Sequence, residues 1–294
     1  MNIKKWLKNN THDITNTTIA ITGATGGLGK ELSLIFARLN ANLIFLDRNK
    51  EKSDQLKNLI IAQYPNIKIE SIQLDLADYE SVKQTTEILK HKKIDILIHN
   101  AGIYNVPRQK TSIGHDNIFQ VNFLAPYYIT KQLISSNETL KKVVAVSSIA
   151  HNYSQIDEND IEFNSRTKPS KIYGNSKRYL TYALMSLFQN ETKTKLSIAH
   201  PGITLTNMTN HYPKGINWLV KLGIKTLFPA PKAAALSILK AVFEDCKENE
   251  WIGPKTFNIW GKPQKQPLKT ATQEEKEKIF QIAEDLYREL TNIS

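Results

Sequence analysis

The chain has 294 residues, of which 40% are hydrophobic, so it is long enough to bury one substantial core in a single domain. Its formal net charge of +11 comes mostly from lysines spread along the whole sequence, which favours a solvated surface over a nucleic-acid site, with a general attraction of anionic ligands. The single cysteine, Cys246, excludes an intramolecular disulfide and fits a reducing cytosol, and no metal site is predicted.

The first residues, Met1 to Lys8, contain no apolar run long enough for a signal peptide or a membrane anchor. No later segment reaches the roughly 18 consecutive apolar residues that a membrane-spanning helix requires. We therefore expect a soluble, cytoplasmic protein.

Strand-like apolar runs alternate with amphipathic stretches of helix length, and this alternation is typical of βαβ units in a parallel sheet. The predicted strands are 18–22, 42–46, 67–72, 94–98, 142–146 and 195–199, with a short run near Trp251. The predicted helices are 29–39, 51–63, 79–89, 117–135, 173–189 and 231–243, followed by a surface helix in the tail, over about 272–291.

Several predicted strands are apolar on both faces, for example Leu43-Ile44-Phe45-Leu46 and Val143-Val144-Ala145-Val146. A parallel sheet that is covered by helices on both sides buries both faces of its strands in this way. The sequence shows no repeat, no low-complexity segment and no linker. It therefore predicts an α/β fold with one doubly wound parallel sheet, in a single domain of residues 1–294.

Glycines recur between the first strand and the first helix, in Thr22-Gly23-Ala24-Thr25-Gly26-Gly27-Leu28-Gly29. Glycine lets the backbone approach a pyrophosphate closely, and the helix amino terminus offers free N–H groups and a partial positive charge. An ordinary turn between a strand and a helix rarely needs so many glycines. Gly23, Gly27 and Gly29 therefore predict a dinucleotide site.

Asp47 follows the second strand, 18 residues after Gly29. A carboxylate at this place accepts hydrogen bonds from the ribose hydroxyls of NAD and repels the additional phosphate of NADP. Its neighbour Arg48 argues for NADP, since a guanidinium pairs with that phosphate.

Tyr173 and Lys177 are four residues apart in a predicted helix, so their side chains share one helix face. Hydride transfer to a carbonyl leaves negative charge on oxygen, which needs a proton donor and hydrogen-bond support. A free phenol has a pKa of about 10, and the nearby cation of Lys177 is expected to lower the pKa of Tyr173. The pair therefore predicts acid–base chemistry at Tyr173.

Four motifs agree in chain order: the glycine turn, Asn100-Ala101-Gly102, Ser147-Ser148, and Tyr173 with Lys177. Together they resemble the short-chain dehydrogenase/reductase superfamily, whose members have the Rossmann fold and bind NAD(P). The interval of 25 residues from Ser148 to Tyr173 and the phrase Trp251-Ile252-Gly253-Pro254-Lys255 resemble its retinol-dehydrogenase-like branch. The resemblance implies an NAD(P)-dependent oxidoreductase that acts on an alcohol or carbonyl group of a lipophilic small molecule.

The resemblance also implies the roles of individual residues. Tyr173 is expected to be the acid/base, Ser148 to hydrogen-bond the substrate oxygen, Lys177 to hold the nicotinamide ribose, and Asn122 to position a water-linked proton path. The cofactor-binding residues are expected to be Gly23, Thr25, Gly27, Leu28, Gly29, Asp47, Arg48, Asp75, Leu76, Asn100, Ala101, Gly102, Tyr173, Lys177, Pro201, Gly202, Ile203 and Thr206.

Two of these positions have alternatives or departures. Asp75 with Leu76 matches the place where the family holds the adenine, but it also fits a cap for the helix that begins at Tyr79. His99 stands where the family commonly has another asparagine, and we expect it to be structural. NADP-preferring members often carry a second basic residue where this chain has Gly26, so its absence slightly favours NAD(H) over NADP(H).

Two other functions stay open on the sequence alone. The pattern Tyr173-Gly174-x-Ser176-Lys177 also occurs in sugar-nucleotide epimerases and dehydratases of the extended branch, although these usually carry a larger carboxy-terminal domain. A Rossmann-fold redox sensor that binds the nucleotide without turnover is the non-enzymatic alternative. The intact set of Ser148, Tyr173 and Lys177 argues against it.

Residues 203–230 correspond to the segment that covers the substrate in the family. Within it, the apolar residues of 216–228 recur at helical spacing, with Lys221 and Lys225 on the other side. A lid over an apolar substrate is favoured, followed by a helix packed permanently on the core and by a weak contact with a membrane surface. Homo-oligomerisation stays open.

Overall fold

The computed structural model describes residues 2–202, 230–268 and 270–292. Its strands are β1 (Thr18–Thr22), β2 (Asn42–Asp47), β3 (Ile69–Gln73), β4 (Ile96–His99), β5 (Lys142–Val146), β6 (Lys195–Ala199), β7 (Glu250–Thr256) and β8 (Trp260–Pro267). In the described residues they form one sheet of 8 strands with the order β3-β2-β1-β4-β5-β6-β7-β8. β1 to β7 run parallel, and β8 pairs antiparallel with β7.

The helices of the described residues connect these strands. They are α1 (Ile3–Asn10), α2 (Gly27–Arg38), α3 (Lys50–Gln63), α4 (Tyr79–Lys90), α5 (Asn117–Phe119), α6 (Ala125–Ser136), α7 (Pro169–Leu187), α8 (Pro231–Phe243) and α9 (Gln273–Asn292). A π-helical turn, Gln120–Leu124, joins α5 to α6, and a short 3₁₀ helix, Ile149–Tyr153, follows β5.

Helices cover both faces of the sheet, and β5 shows why a central strand is mostly apolar. Val143 and Ala145 pack into the core under α4, α6, α7 and α9, whereas Val144 and Val146 pack into the core under α1, α2, α3 and α8. Successive side chains of a strand point to opposite faces, so residues 143–146 meet an apolar core on both sides of the sheet. The predicted doubly wound α/β fold is confirmed.

Two helices near the site differ from their predicted bounds. The predicted helix 117–135 is interrupted by the π turn, which contains Asn122. α7 begins at Pro169 rather than at Tyr173, because proline suits the first turn of a helix, where its missing N–H has no partner to lose. Tyr173 therefore lies inside the helix and not at its end.

α1 and β8 have no counterpart among the predicted elements. β8 reads Trp-Gly-Lys-Pro-Gln-Lys-Gln-Pro, and most of its side chains are exposed or partly exposed. Such a sequence lacks the apolar alternation by which strands are recognised, but an edge strand tolerates proline and lysine. α1 buries only Trp6 and Leu7, and Asn2 caps it by accepting a hydrogen bond from the Lys5 N–H at 3.1 Å.

The predicted tail helix corresponds to α9. The substrate-covering segment predicted at 203–230, and with it the three interpretations of 216–228, lies outside the described residues except for Ala230. No helix among the residues that are described combines the length and the apolarity needed to cross a bilayer.

α9 is joined to the centre of the protein by an ion pair of Arg178, which follows Lys177 in α7 and is 2% exposed. Its Nε and Nη2 donate to the two oxygens of Glu275 at 2.6 and 2.5 Å. Its Nη1 and Nη2 also donate to the carbonyls of His151 at 3.0 Å and Thr270 at 2.5 Å. One guanidinium thus connects α7, α9 and the segment after β5.

We expect Glu275→Ala to lower the free energy of unfolding by about 3 kcal/mol, because it leaves the buried charge of Arg178 without a counterion. Urea unfolding followed by circular dichroism measures the loss. The neighbouring Glu274→Ala is the control, since Glu274 pairs with Lys278 on the surface and we expect no measurable change. Equal losses in the two variants would contradict a special role for the Arg178 pair.

Candidate active site

A cavity of about 570 Å³ opens at the carboxyl ends of β1, β2, β3 and β4. Eleven of the residues predicted to bind the cofactor line it: Gly23, Thr25, Gly27, Leu28, Asp47, Arg48, Asp75, Leu76, Asn100, Ala101 and Gly102. Gly29, Tyr173, Lys177, Pro201 and Gly202 lie outside its lining, and Ile203 and Thr206 lie outside the described residues. The structure therefore brings the predicted adenosine and pyrophosphate residues together in one cleft.

The glycine turn is tight for two different reasons. Gly23 has a φ of 67°, which L side chains rarely adopt. A Cβ added to Gly29 would collide with the carbonyl oxygen of Gly23 and with the backbone of Ala24. The turn delivers α2, whose first residue is Gly27, with its amino terminus toward the cleft.

Asp47 lies at the end of β2 and is only 3% exposed. Its Oδ1 accepts hydrogen bonds from the N–H and the hydroxyl of Thr25 at 3.1 and 2.9 Å, and its Oδ2 accepts one from Ser53 at 3.2 Å. Burial raises the pKa of Asp47, and the bonds from Thr25 and Ser53 offset part of this rise. The carboxylate thus fixes the glycine turn as well as facing the cleft.

Asp75 does not cap α4. The cap is Asp78, whose side chain accepts from the Glu80 N–H, whereas Asp75 accepts from the Ala77 N–H at 2.9 Å in a local turn. Leu76 accepts a hydrogen bond on its carbonyl from Gln120 at 3.2 Å. Both residues line the cleft, and the alternative that Asp75 caps the helix is wrong.

The Asn100-Ala101-Gly102 turn is fastened to the glycine turn. The Nδ2 of Asn100 donates to the carbonyls of Thr22 and Gly23, both at 3.0 Å, and the Thr22 hydroxyl accepts from the N–H groups of Asn100 and Ala101, both at 3.0 Å. His99, just before this turn, hydrogen-bonds Thr130 at 2.7 Å, and burial lowers its pKa to about 3. A neutral, buried His99 agrees with a structural role.

Asn122 holds the other side of this turn. Its Oδ1 accepts from the Ile103 N–H at 2.8 Å, and its Nδ2 donates to the Ile103 carbonyl at 2.9 Å and to Ser176 at 3.1 Å. The π turn around Asn122 is the kind of local distortion that is frequent at functional sites. A Cβ on Gly102 would lie 3.1 Å from Asn122 Oδ1 and 3.4 Å from Lys177 Nζ, so the three residues converge.

Ser148, Tyr173 and Lys177 come together next to this point. Ser148 follows β5 and accepts a hydrogen bond from the Ala150 N–H at 3.2 Å. Lys177 donates to the carbonyl of Val146 at 2.9 Å, and its Nζ lies 5.8 Å from the centroid of the Tyr173 ring. Gly174 lets α7 pack closely on the segment that follows Ser148, because an added Cβ would collide with the Ala150 carbonyl and with Ser154.

Burial controls the charges of this group. It raises the pKa of Tyr173 well above that of a free phenol, and the hydrogen bond with Ser148 offsets only part of the rise. It lowers the pKa of Lys177 to about 7. The expected lowering of the Tyr173 pKa by Lys177 is therefore absent here, because desolvation outweighs the attraction of a lysine that is itself only partly charged near neutral pH.

Pro201 and Gly202 follow β6 at the same edge of the sheet. Gly202 has a φ of 78°, and an added Cβ would lie 2.8 Å from the Ile259 carbonyl and 3.4 Å from the Asn258 carbonyl. His200, the preceding residue, stacks on Trp251 with ring centroids 4.0 Å apart. The turn after β6 is thus packed against the turn that connects β7 to β8.

Sequence reasoning missed several residues of the site. Asn49, Lys52, Val106 and Val121 also line the cleft, and the ring of Tyr104 meets that of Tyr173 edge-on at 5.2 Å. His151 donates from Nδ1 to the Ser148 carbonyl at 2.6 Å. Of these residues, only Lys52 could have been predicted from the sequence, since it lies on the first turn of the helix that follows Asp47 and Arg48.

Comparison with known proteins agrees with this geometry. The family model described as short chain dehydrogenase matches residues 17–217. Polyprenol dehydrogenase of Homo sapiens is 31% identical over 222 residues (70% of this chain, 65% of that protein), and retinol dehydrogenase 12 of Mus musculus is 31% identical over 265 residues (83% and 82%). A crystal structure of an uncharacterised Mycobacterium Paratuberculosis protein aligns with a TM-score of 0.73 at 25% identity, covering 97% and 96%.

The buried lysine makes stability depend on pH. The pKa of Lys177 is about 7 in the folded protein against a usual value of 10.5, so the unfolded chain binds more protons between these values. The contribution of neutral Lys177 to the free energy of unfolding is therefore fully present above pH 10.5, and it is lost as the pH falls to about 7.

We therefore expect Lys177→Met to raise the thermal midpoint most near about pH 6 and progressively less as the pH approaches about 10. Differential scanning calorimetry across this range measures the difference from the wild type. Lys168→Met, at an exposed lysine before α7, is the control and should show no pH-dependent difference. A gain that is independent of pH would mean that Lys177 is not the titrating group.

Proposed function

We propose that this chain, which belongs to the short-chain dehydrogenase/reductase family and to its retinol-dehydrogenase-like branch, interconverts an alcohol and a carbonyl on a lipophilic small molecule, with Tyr173 as the acid/base. The observation that carries the proposal is the convergence of three side chains: Ser148 hydrogen-bonds Tyr173, and the Nζ of Lys177 lies near both the Tyr173 ring and Gly102, which lines the cleft. Family membership makes the protein an NAD(P)-type oxidoreductase.

The residues of the cleft fit a nicotinamide dinucleotide. The amino terminus of α2 offers free N–H groups to a pyrophosphate, and Gly23, Gly26 and Gly27 present no side chain that would obstruct it. Asp47 and Asn100 supply polar groups, while Leu76 and Val121 supply apolar walls for a base. When bound, the cofactor supplies or accepts the hydride.

The chain's own residues account for the proton. When a carbonyl is reduced, negative charge develops on its oxygen, and Tyr173 donates the phenolic proton there while Ser148 donates a hydrogen bond. A raised pKa keeps Tyr173 protonated at neutral pH, as an acid requires. Lys177, with its pKa near 7, can return a proton toward Tyr173, and Asn122 fixes the loop beside it.

Apolar residues beside the cleft support a lipophilic substrate. Ile118, Phe163 and Ile172 form a small apolar cluster, and Ile103 and Val106 pack against it. Ile103 and Val106 also line the cofactor cleft, and Ile172 precedes Tyr173 in α7, so the apolar cluster joins the cleft to the turn of α7 that carries Tyr173. Oxidation of NADH and NADPH with a panel of apolar aldehydes and ketones tests the proposal, and turnover of sugar carbonyls in preference to all of them would overturn it.

Tyr173→Phe is expected to lower kcat by at least the 10²–10⁴ typical of acid–base catalysis, while cofactor affinity is retained, since only the hydroxyl is removed. Tyr104→Phe is the matched control, because it removes the hydroxyl of the adjoining ring but keeps the edge-on contact. Stopped-flow or steady-state turnover and fluorescence titration of NAD(P)H separate the two quantities. If Tyr104→Phe loses more activity than Tyr173→Phe, the assignment of the acid is wrong.

We propose that NAD(H) is preferred by a modest margin. The carboxylate of Asp47 is buried, so its repulsion of a ribose phosphate is weakly screened, whereas Arg48 and Lys52 are exposed and their attraction is screened by salt. Three donors from Thr25 and Ser53 stabilise the ionised form of Asp47.

The ratio of kcat/KM for NADH and NADPH should therefore exceed one and should fall in Asp47→Asn, which keeps an oxygen acceptor for Thr25. Lys52→Ala should raise the ratio, because it weakens NADPH binding selectively. Lys57→Ala is the control, since Lys57 lies on the same helix outside the lining of the cleft. A wild-type enzyme that prefers NADPH would show that Arg48 and Lys52 outweigh Asp47.

A further inference from the structure

The turn between β7 and β8 exposes aromatic side chains. Thr256 pairs with Trp260, and the Ile259 N–H donates to the Thr256 carbonyl at 3.0 Å, so Phe257 and Asn258 are the central residues of the turn. Phe257 is 82% exposed and Trp260 is 39% exposed. We call Thr256 to Trp260 the hairpin tip.

The backbone holds Phe257 in an unfavourable conformation. Phe257 and Asn258 have φ values of 51° and 59°, as the central residues of a type I′ turn do. Such turns favour Asn-Gly, and a bulky residue at positive φ is uncommon. Turn chemistry alone therefore does not account for phenylalanine here, and a strained, exposed residue of this kind points to a function.

The hairpin tip lies at the active-site edge of the sheet. β7 runs parallel to β6 through the pairing of Ala199 with Ile252, so both strands end at the edge that carries Ser148 and Gly202. The carbonyls of Asn258 and Ile259 pack directly against Gly202. Whatever the hairpin tip contacts is therefore close to the candidate active site.

The charge around the hairpin tip is positive. From Trp251 to Gln273 the sequence has four lysines, 255, 262, 265 and 269, and no acidic residue. Lys265 pairs with Glu244 at 3.6 Å, so the positive charge at the tip itself comes from Lys255 and Lys262. Lys255 and Lys262 flank the tip and are exposed. Exposed aromatic residues with lysines beside them are the combination that binds the interface of an anionic bilayer.

We propose that the hairpin tip docks on an anionic phospholipid surface, with Phe257 and Trp260 in the interface and Lys255 and Lys262 at the headgroups. A second copy of the chain fits less well, because a two-fold contact through this patch would bring the same lysines together. Docking turns the active-site edge toward the bilayer. The inference does not depend on the proposed reaction, since it concerns binding alone.

Cosedimentation with phosphatidylcholine vesicles, with and without phosphatidylserine, tests the proposal. We expect the wild type to bind the phosphatidylserine vesicles and to be released by salt. Phe257→Gly should weaken the partition coefficient by about tenfold or more, because it removes the inserted ring. Glycine suits the positive φ, so this variant should fold at least as well as the wild type, and its thermal midpoint checks this. Lys255→Gln with Lys262→Gln should weaken binding to phosphatidylserine vesicles only.

Leu59→Ser and Ile88→Ser are the matched controls, since Leu59 and Ile88 are 43% and 46% exposed on α3 and α4, away from the hairpin tip. They should bind as the wild type does. The proposal is overturned if the wild type stays in the supernatant, or if Phe257→Gly binds unchanged. A third outcome also overturns it: light scattering shows a dimer that Phe257→Gly disrupts, and the wild type does not bind vesicles. The hairpin tip would then be a contact between copies.

Discussion

The parallel hydrogen bonding of β1, β4, β5 and β6 is the constraint on which the candidate site depends. It places the ends of these strands at one edge, so the turns that begin at Gly23, Asn100, Ser148 and Pro201 are neighbours in space. Hydrogen bonds between turns then fix the details. Thr22 and Asn100 join the first two turns, and the Val146 carbonyl holds Lys177 beside the third. The site is therefore a property of the sheet edge rather than of any single loop.

Burial at this edge has a second effect, because it opposes charge. Desolvation raises the pKa of Tyr173 and of Asp47, and it lowers the pKa of Lys177 to about 7. Hydrogen bonds with Ser148 at Tyr173, and with Thr25 and Ser53 at Asp47, offset only part of the two rises. The group thus favours a neutral phenol and a readily deprotonated lysine. A proton therefore moves favourably from Lys177 to a deprotonated Tyr173 and not in the reverse direction, because the phenol holds its proton more tightly than the lysine does.

Features that depend on local sequence could be predicted, and features that depend on distant contacts could not. The glycine turn, the Asn100 turn and the spacing of Tyr173 and Lys177 are local patterns, and the structure places these residues at one edge of the sheet. The pairing of Arg178 with Glu275 joins residues 97 positions apart, and no local pattern marks it. β8 escaped prediction because an edge strand carries little apolar signal. The direction of the Tyr173 pKa escaped it because helical spacing predicts the partner but not the desolvation.

The last part of the chain connects to the site although the family match ends at residue 217. Glu275 of α9 accepts a hydrogen bond from Arg178, and Arg178 donates another to the His151 carbonyl. The ring of His151 in turn donates to the backbone carbonyl of Ser148. The turn between β7 and β8 packs on Gly202. The two attachments reach Ser148 from one side and the turn after β6 from the other. The common fold therefore supplies the cofactor edge, while the carboxy-terminal elements contact the backbone at Ser148 and the turn after β6. Because function depends on such sites rather than on the shared fold, these contacts are places where members of one family can differ.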